Sequence, residues 1–214
     1  MAVRKIPIQS RSVAGYFYSV KNRKVMDFES QLERDCFYTL EFDDEVVEYE
    51  HQPVRIEGML GSRKVTYIPD IYVFRQDGTE QLVEVKYTKD LSPEDEKKKA
   101  KLENRTRTIK EYCRQKGMQY LFFTEKDTDP TYLGNIKFLY RYREAPREPD
   151  GCKKKILDLA RTHTTPEKVL EKLAMTDTQK MEMLPCIWHL LYAGDLETNL
   201  HIPLTNASVI KAAG

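Results

Sequence analysis

Residues 65–127 impose the tightest constraint on the fold. Two apolar, β-branched runs, VTYIPDIYVF and EQLVEVKY, are separated only by RQDGT. A charged stretch of helical composition follows, DLSPEDEKKKAKLENRTRTIKEYCRQKG, with Ser92-Pro93 as a start signal and Gly117 as a stop. MQYLFFTEKD then reads as a buried strand. Two strands joined by a tight loop pair antiparallel. A strand, a long helix and a further strand make a parallel crossover. Together they predict a mixed sheet with helices packed on it, an α/β fold. IKFLYRY is read as one further strand.

The same segment carries chemistry. Asp70, Glu84 and Lys86 form the pattern Asp-x13-Glu-x-Lys. Glu84 and Lys86 lie two apart on a strand and share a face, so Val83 and Val85 point to the other one. The loop decides where Asp70 points. A two-residue turn at Asp77-Gly78 sets Asp70 opposite Val85. A three-residue loop, Gln76-Asp77-Gly78, sets it opposite Glu84. The second register is favoured because it places Gly78 where φ must be positive and keeps Asp70 out of the valine face. Carboxylates directly opposite each other repel, and a divalent cation relieves that repulsion. Oxygen ligands without histidine or cysteine suit Mg²⁺, with Mn²⁺ as a substitute. Such an ion assists phosphodiester hydrolysis, with Lys86 supplying positive charge near the phosphate or the attacking water.

Upstream, DFESQLERDCFYTLEF is read as a helix with Leu32, Cys36 and Leu40 on one face and Asp27 or Ser30 as its cap. Glu29 and Glu33 are both candidate further ligands, and spacing alone does not choose between them. VVEYEHQPVRIEG alternates like a strand, with Pro53 marking an edge or bulge. Residues 1–24 mix basic, aromatic and turn-forming residues and are read as an N-terminal basic arm. Residues 25–142 form the main domain. The proline- and charge-rich stretch 143–151 is a linker. In residues 152–214, three helical segments and a short hairpin suggest a winged-helix-like module. The run Lys97, Lys98, Lys99, Lys101, Arg105, Arg107 and Lys110 is interleaved with acids and reads equally as a DNA groove or a solvated helix.

Composition narrows the class without naming a partner. The 214 residues are 32% charged with a formal net charge of +1, so any nucleic-acid surface must come from local clustering. Cys36, Cys113, Cys152 and Cys186 have no metal-thiolate spacing and predict reduced thiols, hence a cytoplasmic setting. No apolar stretch is long enough to span a bilayer. His51, His163, His189 and His201 are scattered and read as structural or surface residues.

RSVAGYFYS, FESQLERD, LEFDDEVVEYEHQPV, YIPD, LVEVKY and LFFTE, in that order over much of residues 10–140, resemble the TnsA endonuclease family of heteromeric DNA transposases. The resemblance implies a restriction-endonuclease-like core. It also implies cleavage at the 5′ ends of a mobile element, leaving a 5′-phosphate and a 3′-hydroxyl. It matches Glu33, Asp70, Glu84 and Lys86 to the family's catalytic positions. Glu33, Asp70, Glu84 and the carbonyl of Val85 would then hold Mg²⁺. The implied partners are double-stranded DNA at transposon ends, a DDE-type transposase and an AAA+ ATPase regulator, the last through the C-terminal module. Two other readings compete. One is another nuclease of the same core, such as a junction resolvase or restriction enzyme. The other is a non-catalytic adaptor between DNA and an ATPase, which has no need of all four residues.

Overall fold

The computed structural model describes residues 13–147 and 151–214. The chain packs as two compact units, residues 1–128 and 129–214. This division falls before the linker expected at 143–151, part of which lies outside the described residues.

The first unit is built on a four-stranded sheet in the order β3-β6-β7-β8, formed by β3 (Val46–His51), β6 (Ile71–Arg75), β7 (Glu80–Val85) and β8 (Gln119–Phe123). β3–β6 and β6–β7 are antiparallel, whereas β7–β8 is parallel. The parallel step is made by α2 (Glu96–Lys116), the expected crossover helix. Asp95 caps its N-terminus by accepting from the Lys98 N–H. Gly117, at φ 72°, ends it in the left-handed conformation that glycine adopts without cost.

Sequence periodicity merged elements that the fold separates. The alternation over 46–74 predicts parts of two strands, but the stretch holds four. After β3 the chain turns at Gln52, then forms a separate hairpin of β4 (Ile56–Leu60) and β5 (Arg63–Tyr67) before β6 begins. The expected basic arm is also corrected over its second half. β1 (Gly15–Ser19) and β2 (Lys24–Phe28) pair antiparallel and bury Phe17, Met26 and Phe28. Lys21 donates to the carbonyls of Asp43 and Val46 at 2.5 and 2.6 Å, so its ammonium is committed to the fold. Arg4, Lys5 and Arg11 lie outside the described residues.

Both faces of the sheet are covered. Leu82 clusters with Ile109 and Cys113 of α2, together with Ile56 and Tyr67 from the β4–β5 hairpin. Val83 and Val85 are buried on the opposite face, where α1 (Gln31–Phe42) approaches β3 and β7. Leu32, Cys36 and Leu40 of α1 are buried along one stripe, as their spacing predicts.

In the second unit, α3 (Pro130–Leu139) replaces the strand expected at IKFLYRY. Asp129 caps it and Pro130 occupies its first turn. Those signals outweigh the β-propensity of a short apolar run, which by itself does not separate a buried helix from a strand. α4 (Cys152–Leu159), α5 (Pro166–Leu173) and α6 (Asp177–Tyr192) follow, and β9 (Leu196–Glu197) pairs with β10 (Lys211–Ala212). A single bridge joins Thr164 to Ile210. Thr176 and Gln179 form a reciprocal capping box at the start of α6. All four cysteines are buried free thiols, and no helix among the described residues is long and apolar enough to cross a membrane.

Candidate active site

The β6–β7 hairpin has the three-residue register. Ile71 pairs with Val83 and Tyr72 with Leu82, so Asp70, one residue before β6, falls opposite Glu84. The loop closes through the Gly78 N–H donating to the Arg75 carbonyl at 3.0 Å, with Gly78 at φ 81°. Asp70 is thus on the α2 side of the sheet with Glu84. Pro69 has no N–H to donate and breaks the strand just before it.

Two contacts fix Asp70. Its Oδ2 accepts from the Val85 N–H at 2.8 Å. Its carbonyl accepts from the Gln52 N–H, also at 2.8 Å. Gln52 has φ 50°, a left-handed conformation costing a non-glycine residue about 1 kcal/mol or more. Strain of this kind gathers where a chain must hold a reactive group in place. The Gln52 side chain reaches Glu29, donating from Nε2 to Oε1 at 3.2 Å.

Glu84 is fully buried, and its charge is met by Arg105 of α2. Arg105 Nε donates to Glu84 Oε2 at 2.9 Å and Nη2 donates to Oε1. The same Nη2 donates to the Ile68 carbonyl at 2.6 Å and lies 4.0 Å from Asp70 Oδ1. The guanidinium also lies over the Tyr67 ring, 5.7 Å from its centroid. One guanidinium therefore serves two carboxylates. Burial, then the adjacent Glu84 charge, push the Asp70 carboxyl well above its ordinary pKa, while the Val85 N–H and Arg105 pull it down.

In the sequence Arg105 stands as one basic residue in a mixed run. A sharper signal was present. Arg105, Ile109 and Cys113 are spaced by four, so the arginine continues the buried stripe of α2. A charge on an apolar stripe requires a buried partner.

Arg105 lines a cleft of about 970 Å³ together with Ser30 and Glu33 at the start of α1, Val85 at the end of β7, Lys86 and Lys89 after it, and Lys98 and Lys101 of α2. Lys98, Lys101 and Arg105 share one helix face at i, i+3 and i+7. Arg107 and Lys110, from the same basic run, line a different groove. Among the described residues no carboxylate pairs with the Lys86 ammonium. Asp90, Glu94 and Asp95 also line the cleft and supply negative charge.

Glu33 reaches the cleft but is occupied elsewhere. As the third helical residue it closes the cap of α1. Its Oε2 accepts from the Glu29 N–H at 2.8 Å and its Oε1 from the Ser30 hydroxyl at 3.2 Å, while Ser30 Oγ accepts from the Glu33 N–H at 3.1 Å. His51, buried against Phe37, lies 3.6 Å from Glu33 through Nε2. Among the described residues no three acids, histidines or cysteines gather closely enough to enclose an ion. The structure thus brings Asp70 and Glu84 together around Arg105, sets Lys86 on the cleft that Arg105 lines, and holds Glu33 of that lining in the helix cap.

Two carboxylates fit a Mg²⁺ site. That ion keeps several waters and is usually bound by one or two carboxylates plus substrate phosphate, not by an all-protein cage. The resident guanidinium shows that a cation can bond Glu84 there while lying within 4.0 Å of Asp70.

Residues 43–125 match the family model described as TnsA-like endonuclease N terminal. No curated protein matches the chain significantly. The matched segment contains Asp70, Glu84, Lys86 and Arg105, and it begins after Glu33.

Proposed function

We propose that this chain, of which residues 43–125 match the TnsA-like endonuclease N-terminal family, carries in its first unit a Mg²⁺-dependent DNA nuclease cutting one strand at the 5′ ends of a mobile element. The observation that carries this reading is the pair Asp70 and Glu84, presented by adjacent strands to one shared cation.

Asp70 and Glu84 would hold the ion, with the Val85 carbonyl beside them as a further ligand. When bound, Mg²⁺ supplies Lewis-acid stabilisation of the phosphate oxygens and makes water a better nucleophile. The chain's own groups do the rest. Lys86 lines the cleft, where its ammonium would lie near the phosphate oxygens that gain charge as water attacks phosphorus. Lys98 and Lys101 give the cleft a wall that attracts the DNA backbone. The Gln52 N–H and Val85 N–H keep Asp70 from turning away, so the acid pair is set before substrate arrives. Glu33, on the α1 side, becomes a ligand only if its cap bonds are exchanged.

We further propose that the cut is made inside an assembly with a DDE-type transposase and an AAA+ ATPase regulator, with the second unit, read as winged-helix-like, as the docking element. The test is a strand-resolved cleavage assay on transposon-end duplex, with and without the partner transposase, in Mg²⁺. Wild type is expected to nick the 5′ strand only in the assembled reaction, and Asp70→Ala to leave it intact while retaining its fold. Wild-type cutting by Asp70→Ala would defeat the site assignment. Vigorous cutting of arbitrary duplex by the chain alone would favour a self-sufficient nuclease of the same core.

A further inference from the structure

The proposed reaction gives no part to Arg105, yet its guanidinium holds the ground an ion would need. It engages both oxygens of Glu84, donates to the Ile68 carbonyl at 2.6 Å, and lies 4.0 Å from Asp70. Glu84 has no exposure to solvent, and Arg105 is the neighbour that lines the cleft. A Mg²⁺ ion sits roughly 2.1 Å from each ligand oxygen and brings waters with it. An ion bound there and the guanidinium would compete for the Glu84 carboxylate, and both are positive.

We propose that Arg105 is the resident counter-cation of the acid pair and that it competes directly with the divalent ion, so that metal loading requires its side chain to leave Glu84. This inference rests on the reading of Asp70 and Glu84 as metal ligands. Three observations support displacement as the loading step. Glu84 is fully buried beside a partly exposed Asp70, so a cation stabilises the pair, which gives the unloaded protein a use for Arg105. Arg105 is itself partly exposed, at 23% of its side chain, on the cleft side, so it has somewhere to go. The cleft it faces is the one assigned to the DNA backbone, and the planar fork that now grips a carboxylate grips a phosphate equally well. A bound strand therefore offers Arg105 a replacement partner as the metal takes Glu84.

The competition is measured on the full chain without DNA, by following free Mn²⁺ through its electron paramagnetic resonance signal. Arg105→Gln is expected to bind Mn²⁺ about tenfold more tightly than wild type, because the fraction of molecules with open ligands rises. It should also melt lower than wild type without metal and gain more from added Mn²⁺. Arg105→Lys, which keeps a charge but loses the two-pronged grip, should fall between them, and it carries the test should Arg105→Gln not fold. Asp70→Asn should lose the ion. Equal or weaker Mn²⁺ binding in folded Arg105 variants overturns the displacement model and leaves the metal reading standing. No binding by wild type or any Arg105 variant at millimolar Mn²⁺ overturns both.

Discussion

Two glutamates are buried in the first unit, and the fold treats them in opposite ways. Glu41, near the end of α1, is surrounded by fixed neutral donors. The Ser19 hydroxyl, the Tyr49 hydroxyl and the Val20 N–H reach it at 2.5, 2.7 and 3.1 Å. They come from the end of β1 and from β3, and none of these donors carries a charge. Glu84 has instead a single long side chain as its partner, lent by α2, with a second acid across the strand pair. A buried carboxylate wrapped in short, rigid donors is a fastening. One held by a single charged and partly exposed side chain is a socket whose plug can be withdrawn. Burial alone does not separate the two; the nature of the donors does.

The contrast is broken most severely by exchanging the two acids in turn for glutamine. Glu84→Gln should fold and lose at least about a hundredfold in strand cleavage within the assembled complex, as expected for an ion ligand. Glu41→Gln should do the reverse. Its unfolding free energy, measured by urea titration, should fall by roughly 2 kcal/mol or more, since hydrogen bonds to a charged group contribute about that much each, while cleavage per folded molecule stays at the wild-type level. Equal stability losses with equal activity losses in both variants would erase the distinction.

A smaller effect concerns pH. The folded-state pKa of Asp70 is raised, first by burial and then by Glu84. An acid whose folded pKa is raised favours the fold while protonated, below its unfolded pKa, and that contribution disappears as pH climbs through the folded value. Without divalent ions, Asp70→Asn should therefore melt above wild type at neutral pH, and the gap should narrow as pH falls toward the ordinary carboxylate range. Thermal melts at several pH values check this; a gap that widened on acidification would refute it.

The mildest test uses α1, which carries Glu33 at its start and Glu41 near its end. Ser30→Ala removes the cap and should cost about 1 kcal/mol. Amide exchange should quicken around residues 31–34 and stay unchanged around Glu41. Acceleration along the whole helix would mean that the site-facing end and the fastened end are not independent.

The sequence disclosed the active strands better than the periphery, for physical reasons. Side chains alternate strictly along a strand, so one glycine demanding positive φ, Gly78, sufficed to choose the register that sets Asp70 opposite Glu84. The helix between two apolar runs settled the parallel pairing of β7 and β8. The β4–β5 hairpin stayed hidden because β3, Gln52 and Ile56 read as one alternating run, and the left-handed break falls on a glutamine, which carries no turn signature. The β1–β2 hairpin was masked by the basic residues around its buried Phe17 and Met26. Arg105 was obscured by the charged residues beside it, although its place on the Ile109–Cys113 stripe was open to inspection.

The three-residue loop at Gln76–Gly78 also bears on how such a chain changes over generations. β6 is clamped between β3 and β7, so slipping it by one residue would turn Ile71 and Val73, both without solvent exposure, out of their apolar layer along with moving Asp70. A single-residue insertion or deletion that shifted this strand would be rejected as a folding failure before its effect on chemistry was ever sampled. The packing of two aliphatic side chains thus polices the spacing between two acids.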